Sequence, residues 1–250
     1  MTIYSFRKLN PDWEIHLCSY KAVGQWKFHG CLDSRDYRGE DYTAKCLELG
    51  IHVADWIPPI QNLSPVYASD LFRWAYLNSV GGWYSDMDVL WVQPMTDLYQ
   101  RTKDCDFVGC ETYNLIGVGL LAGSPNDLWN DLYRAALNDY DADHPQSTGT
   151  LVINRYVHDS PKFINWKKAL QVLNDRHPTL TIEILKHEVG CPFNFTQVDR
   201  IFKSTETLPT DCVCLHWFGG HKISQEFNNR LTEKNFRETH NTFTKYAEKL

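Results

Sequence analysis

The chain has 250 residues, 43% hydrophobic and 14% aromatic, with a formal net charge of −6. That length can bury a sizeable core without disulfides. The acidic balance and the lack of a basic tract argue against a nucleic-acid partner, and no run of about 20 apolar residues could span a bilayer.

The opening MTIYSFRKLNPDW has no apolar segment of signal-peptide type, so the chain is expected to be soluble and cytoplasmic. Eight cysteines (Cys18, Cys31, Cys46, Cys105, Cys110, Cys191, Cys212, Cys214) are scattered without a C-x-x-C pair, which fits free thiols in a reducing compartment. The sequons at Asn62 and Asn194 carry no weight without secretion. No repeat or Ser/Gly linker divides the chain, and a single domain over 1–250 is expected.

In chain order, short β-branched runs read as strands: EIHLC, IHVAD, WYSDMDVLWV, DFVGC, LIGVGLLAG and CVCLHWF. Helical patterns fall around 65–80, 126–138, 161–173 and 226–249, and their alternation with the strands predicts an α/β fold. The clearest helix is LSPVYASDLFRWAYLNSVGG. Ser64 suits its N-cap, Pro65 its first position and Gly81 the left-handed residue that ends it. Val66, Leu71, Ala75 and Leu77 mark an apolar face. Asp70 and Arg73, three apart, read locally as a surface ion pair.

WYSDMDVLWV reads as one strand, which would turn Asp86 and Asp88 to the same side. Two carboxylates so close repel each other unless a cation lies between them, and Mg²⁺ or Mn²⁺ suits such oxygen ligands. Alone, D-x-D is also met as two solvated strand-end aspartates.

The longer string S-D-x-x-R-x-x-x-L-x-x-x-G-G-x-Y-x-D-x-D takes in Ser69, Asp70, Arg73, Leu77, Gly81, Gly82, Tyr84, Asp86 and Asp88. It resembles the sugar-binding region of glycosyltransferases with a D-x-D motif. These are the family 32 enzymes of the yeast mannosyltransferase and α-1,4-galactosyltransferase type, and more distantly the glucosylating clostridial toxins. SFRKLNPDWEIHL, NLIGVGLLAGSPN and STGTLVINR are similar, more loosely, to other stretches of that family. His216, Gly219 and Lys222 fit H-x-x-G-x-x-K, similar to the metal and diphosphate loop of family 8 transferases. A core histidine is the alternative for His216.

The resemblance implies the GT-A fold, a Rossmann-like open α/β sheet flanked by helices, with ligands beyond the carboxyl ends of the strands. It also implies a metal-dependent, retaining hexosyltransferase. The donor would be a nucleoside-diphosphate sugar, a UDP-hexose favoured and GDP-mannose the alternative, and the acceptor a glycan or other hydroxyl compound. Asp86, Asp88 and His216 would hold the metal, with both aspartates counted as catalytic. Asp70, Arg73, Tyr84, Asp86, Gly219 and Lys222 would hold the donor. No nucleophile can be named; Asn114, Gln146 and Asp143 lie in loops that could face the acceptor.

One departure stands out. The family begins with a strand of the form I-P-K-x-I-H-x-I-W-x-G, which is missing here, so either the numbering starts late or another segment takes its place. Two other readings stay open: a domain that binds nucleotide sugar or glycan without turnover, and a haloacid-dehalogenase-type phosphohydrolase using DMDV as its nucleophile strand.

Overall fold

The computed structural model describes residues 1–20, 38–112, 115–144, 146–158 and 166–250. The elements are, in order, α1 (Thr2–Leu9), β1 (His16–Ser19), α2 (Thr43–Leu47), β2 (His52–Asp55), α3 (Pro65–Ser79), β3 (Gly82–Ser85), β4 (Val89–Trp91), α4 (Thr96–Thr102), β5 (Phe107–Thr112) and β6 (Leu115–Gly123). Then come α5 (Asp127–Asn138), α6 (Thr150–Val157), α7 (Trp166–Arg176), β7 (Ile182–Leu185), α8 (His187–Gly190), α9 (Val198–Phe202), β8 (Cys214–His216), α10 (Lys222–Asn228) and α11 (Thr242–Ala247). Cys31 and Asn114 fall outside the described residues, as does the start expected for the helix at 161–173.

The class is the expected mixed α/β, with open sheets and no closed barrel among the described residues. Four strands run in the order β3-β6-β5-β7; β6 is antiparallel to both neighbours and β5 is parallel to β7. Two further pairs stand apart, parallel β1–β2 and antiparallel β4–β8.

Side-chain alternation along β5 and β6 separates two cores. Phe107, Ile116 and Leu121 face the helices α3, α5 and α6, where Trp74 packs on Trp129 at 6.2 Å between centroids. Val108, Cys110 and Leu120 turn the other way, toward Val89 and Trp91. Leu90, between those two, points into a third cluster with Leu215, Trp217 and the C-terminal helices.

Three expectations need correction. WYSDMDVLWV is two strands, because after Asp86 the chain leaves β6 and pairs with β8 instead, leaving Met87 and Asp88 in the bend. The helix expected over 226–249 is broken into α10, a 3-10 turn at Phe236–Glu238 and α11. Asn241 begins α11 afresh with a reciprocal capping box to Thr244, an example of a polar side chain competing for backbone groups. Ser64 precedes α3 in extended backbone, but its hydroxyl is buried without a hydrogen-bond partner and does not cap. Pro65 and Gly81 sit as expected, Gly81 with φ +78°. Val66 and Ala75 are half-buried, whereas Leu71 and Leu77 are in the core.

α1 packs along β4. Thr2 Oγ accepts from Val89 N (3.2 Å), Ser5 Oγ from Trp91 N (3.1 Å) and Asn10 Oδ1 from Met95 N (2.8 Å). The two hydroxyls thus do for β4 what a neighbouring strand's carbonyls would do, and Asn10 holds the chain just beyond the strand. Among the described residues no helix is long and apolar enough to cross a membrane.

Candidate functional site

β3, β4 and β8 converge on one cavity of about 860 Å³, a size that suits a nucleotide-sized ligand. Asp86 leaves the end of β3, Asp88 precedes β4 and His216 closes β8. One ligand atom from each lies within 4.8 Å of the others. The two aspartates are therefore neighbours across a bend between two sheets rather than along one strand.

Each carboxylate is aimed by its surroundings. Asp86 Oδ1 accepts from Tyr84 OH at 2.7 Å and pairs with Arg73 at 3.2 Å. Asp88 Oδ1 lies 2.9 Å from His216 Nε2, and Gly219 N donates to its Oδ2 at 2.6 Å. Burial alone would raise the Asp88 carboxyl, but His216 and the Gly219 amide hold it below its ordinary value. Burial would likewise lower His216, and the Asp88 carboxylate overrides this and raises it well above the usual imidazole range.

Behind this group lies a second layer. Asp70 and Arg73 are a buried pair at 2.8 Å, not the surface ion pair of the local sequence reading. Arg73 also donates to Val118 O at 2.7 Å and lies over the Tyr84 ring at 4.7 Å. Thr148 Oγ1 donates to Asp70 Oδ2 at 2.9 Å. Burial, the largest influence, raises the Asp70 carboxyl to about 6 against the lowering by Arg73.

Asp70, Arg73, Tyr84, Asp86, Asp88 and His216 all line the cavity, as do Gly219 and Gln146. Lys222 does not; it is exposed at the first turn of α10. Asp143 is also absent from the lining.

Several contributors escaped the sequence reading. Gly119 on β6 faces the ligands so closely that an added Cβ would lie 2.9 Å from Asp86 Oδ2 and 3.0 Å from His216 Cε1. A glycine inside a strand is the signal for such a close approach. Thr148 and Gly149 seat Asp70, and Thr-Gly before a helix was their visible mark. Phe218 stacks on His216 at 4.3 Å with φ +53°, and nothing in its sequence context announces this.

Residues 1–104 match the family model of the glycosyltransferase sugar-binding region containing a DXD motif. This match over the first part of the chain, together with a mixed α/β fold consistent with the GT-A type, supports glycosyltransferase activity in general. The match contains Asp70, Arg73, Tyr84, Asp86 and Asp88 of the sugar-binding region; His216 and Gly219 reach it from the later part of the chain. A search among curated proteins found no significant match.

Proposed function

We propose that this chain is a metal-dependent hexosyltransferase acting on a nucleoside-diphosphate sugar. The observation that carries the proposal is the meeting of Asp86, Asp88 and His216 on one cavity, with Asp70, Arg73 and Tyr84 beside them. The donor set fits a divalent ion: two carboxylates and an imidazole suit Mn²⁺, and Mg²⁺ less well. Gly119 keeps open the space that any side chain would fill.

Sugar transfer builds positive charge at the anomeric carbon and negative charge on the departing diphosphate. A divalent ion held by Asp86, Asp88 and His216 would neutralise that leaving charge. Tyr84 and Arg73 fix the Asp86 carboxylate, and the Gly219 amide fixes Asp88, so little reorganisation is needed when a ligand enters. Asp70 keeps free lone pairs beyond its bonds to Arg73 and Thr148, and these can accept sugar hydroxyls. A UDP-hexose is favoured as donor over GDP-mannose, with a hydroxyl acceptor, possession of a glycan chain being the favoured case, and with retention at the anomeric carbon.

The test is release of nucleoside diphosphate from UDP- and GDP-hexoses with Mn²⁺, with and without acceptor. Turnover by the wild type that Asp88→Asn abolishes while the fold persists supports the proposal. Full activity in Asp88→Asn would overturn the metal assignment. Metal-dependent nucleotide binding without turnover would favour a binding module, and phosphate release from generic phosphoesters a phosphohydrolase.

A further inference from the structure

A second group of metal-ligating side chains lies outside the cavity, on the parallel pair β1–β2. His16 stands opposite His52 in the strand register, and Glu14 just precedes β1. Glu14 Oε1 is 3.3 Å from His16 Nε2 and 3.5 Å from His52 Nε2. Ligands held at about 2.0–2.1 Å on the corners of a zinc tetrahedron are about 3.3 Å apart. The carboxylate oxygen therefore already stands at ligand-to-ligand distance from both imidazoles.

An outer partner is in place as well. Tyr76 OH on α3 lies 2.8 Å from His16 Nδ1. With the ring proton on Nδ1 and donated to Tyr76, the Nε2 lone pair is free for a metal. The two rings are 5.3 Å apart and tilted by 41°. Among the described residues only Asp86, Asp88 and His216 already bring three ligand atoms within 4.8 Å. A turn of the His52 ring, whose side chain is 64% exposed, would complete the second set.

We propose that Glu14, His16 and His52 bind a divalent ion of the zinc class, with water at the fourth position. The ion would tie β1 to β2, two four-residue strands in a two-stranded sheet that has little stability of its own. This inference is independent of the transferase reading, since it uses none of its residues.

The experiment is calorimetric titration of the Asp88→Asn chain with Zn²⁺ under reducing conditions, which removes one ligand of the cavity site. The same titration is run after adding His52→Ala, Glu14→Gln or Tyr76→Phe. The expected result is zinc binding that His52→Ala and Glu14→Gln weaken by at least about tenfold and Tyr76→Phe by about tenfold. Zinc should also raise the melting temperature of the parent but not of the His52→Ala chain. Circular dichroism without metal identifies any variant that misfolds, and the exposed Glu14 then decides alone. Unchanged zinc affinity in the folded His52→Ala or Glu14→Gln chain overturns the proposal, as does the absence of zinc binding by the parent.

Discussion

Replacing Arg73 by Leu removes the cation that Asp70 and Asp86 share. Asp70 is raised to about 6 from an ordinary 3.8, so at pH 7 its ionisation already opposes folding. Without Arg73 the carboxyl rises further, until the folded protein simply keeps Asp70 protonated. From about 6 to full protonation at pH 7 costs on the order of a further 1 kcal/mol. The Val118 carbonyl, left without its buried donor, adds about 1–3 kcal/mol. The expected loss at pH 7 is thus about 2–4 kcal/mol, read from urea unfolding followed by tryptophan fluorescence. The pH dependence has a fixed sign. A raised carboxyl favours the folded state when it is neutral, and that advantage is lost as pH rises through about 6. At pH 5 the wild-type Asp70 is already mostly protonated, so the deficit of Arg73→Leu should shrink by about 1 kcal/mol. A deficit under about 1 kcal/mol at pH 7, or one that grows on acidification, would refute the view of Arg73 as the counter-charge of a buried carboxylate.

Gly119→Ala puts a methyl group against Asp86 and His216, and should weaken Mn²⁺ binding by about tenfold or more, although no ligand is removed. Titration of Mn²⁺ by electron paramagnetic resonance checks this, and unchanged affinity counts against the cradle. Ser5→Ala leaves the Trp91 N–H without its acceptor and should cost about 1–3 kcal/mol in urea unfolding. Burial pushes the Cys212 thiol up to about 12 and also raises the Cys110 and Cys214 thiols well above the ordinary range. Iodoacetamide should therefore label the partly exposed Cys46 and Cys105 in the native protein and reach these three only after denaturation. Peptide mapping showing equal rates would contradict that burial.

The residues around the cavity were legible where chemistry fixes spacing. Asp70, Arg73, Tyr84, Asp86 and Asp88 lie close in sequence, and their string names them directly. Their arrangement was less visible. That Asp86 and Asp88 straddle a bend depends on β8 claiming β4 as its partner, a pairing more than a hundred residues distant that no local period encodes. The burial of the Asp70–Arg73 pair likewise depends on α5, α6 and Thr148 closing over α3, while the local spacing spoke only for an exposed pair. Lys222 shows the converse, since a motif can set its order along the chain without setting its direction in space. The interrupted C-terminal helix was readable in part, because Asn235 and Asn241 are turn and cap formers set inside a pattern taken as continuous.

The way α1 lies along β4 has a consequence for how these molecules meet one another. An open strand margin is a template on which a second polypeptide can lay itself, and growth from such margins leads to fibrils. Two hydroxyls occupy such donors of β4 here, yet a helix cannot pass the pattern on to another copy. α1 therefore acts as a terminator at this margin, covering the strand beneath it without offering a new edge there.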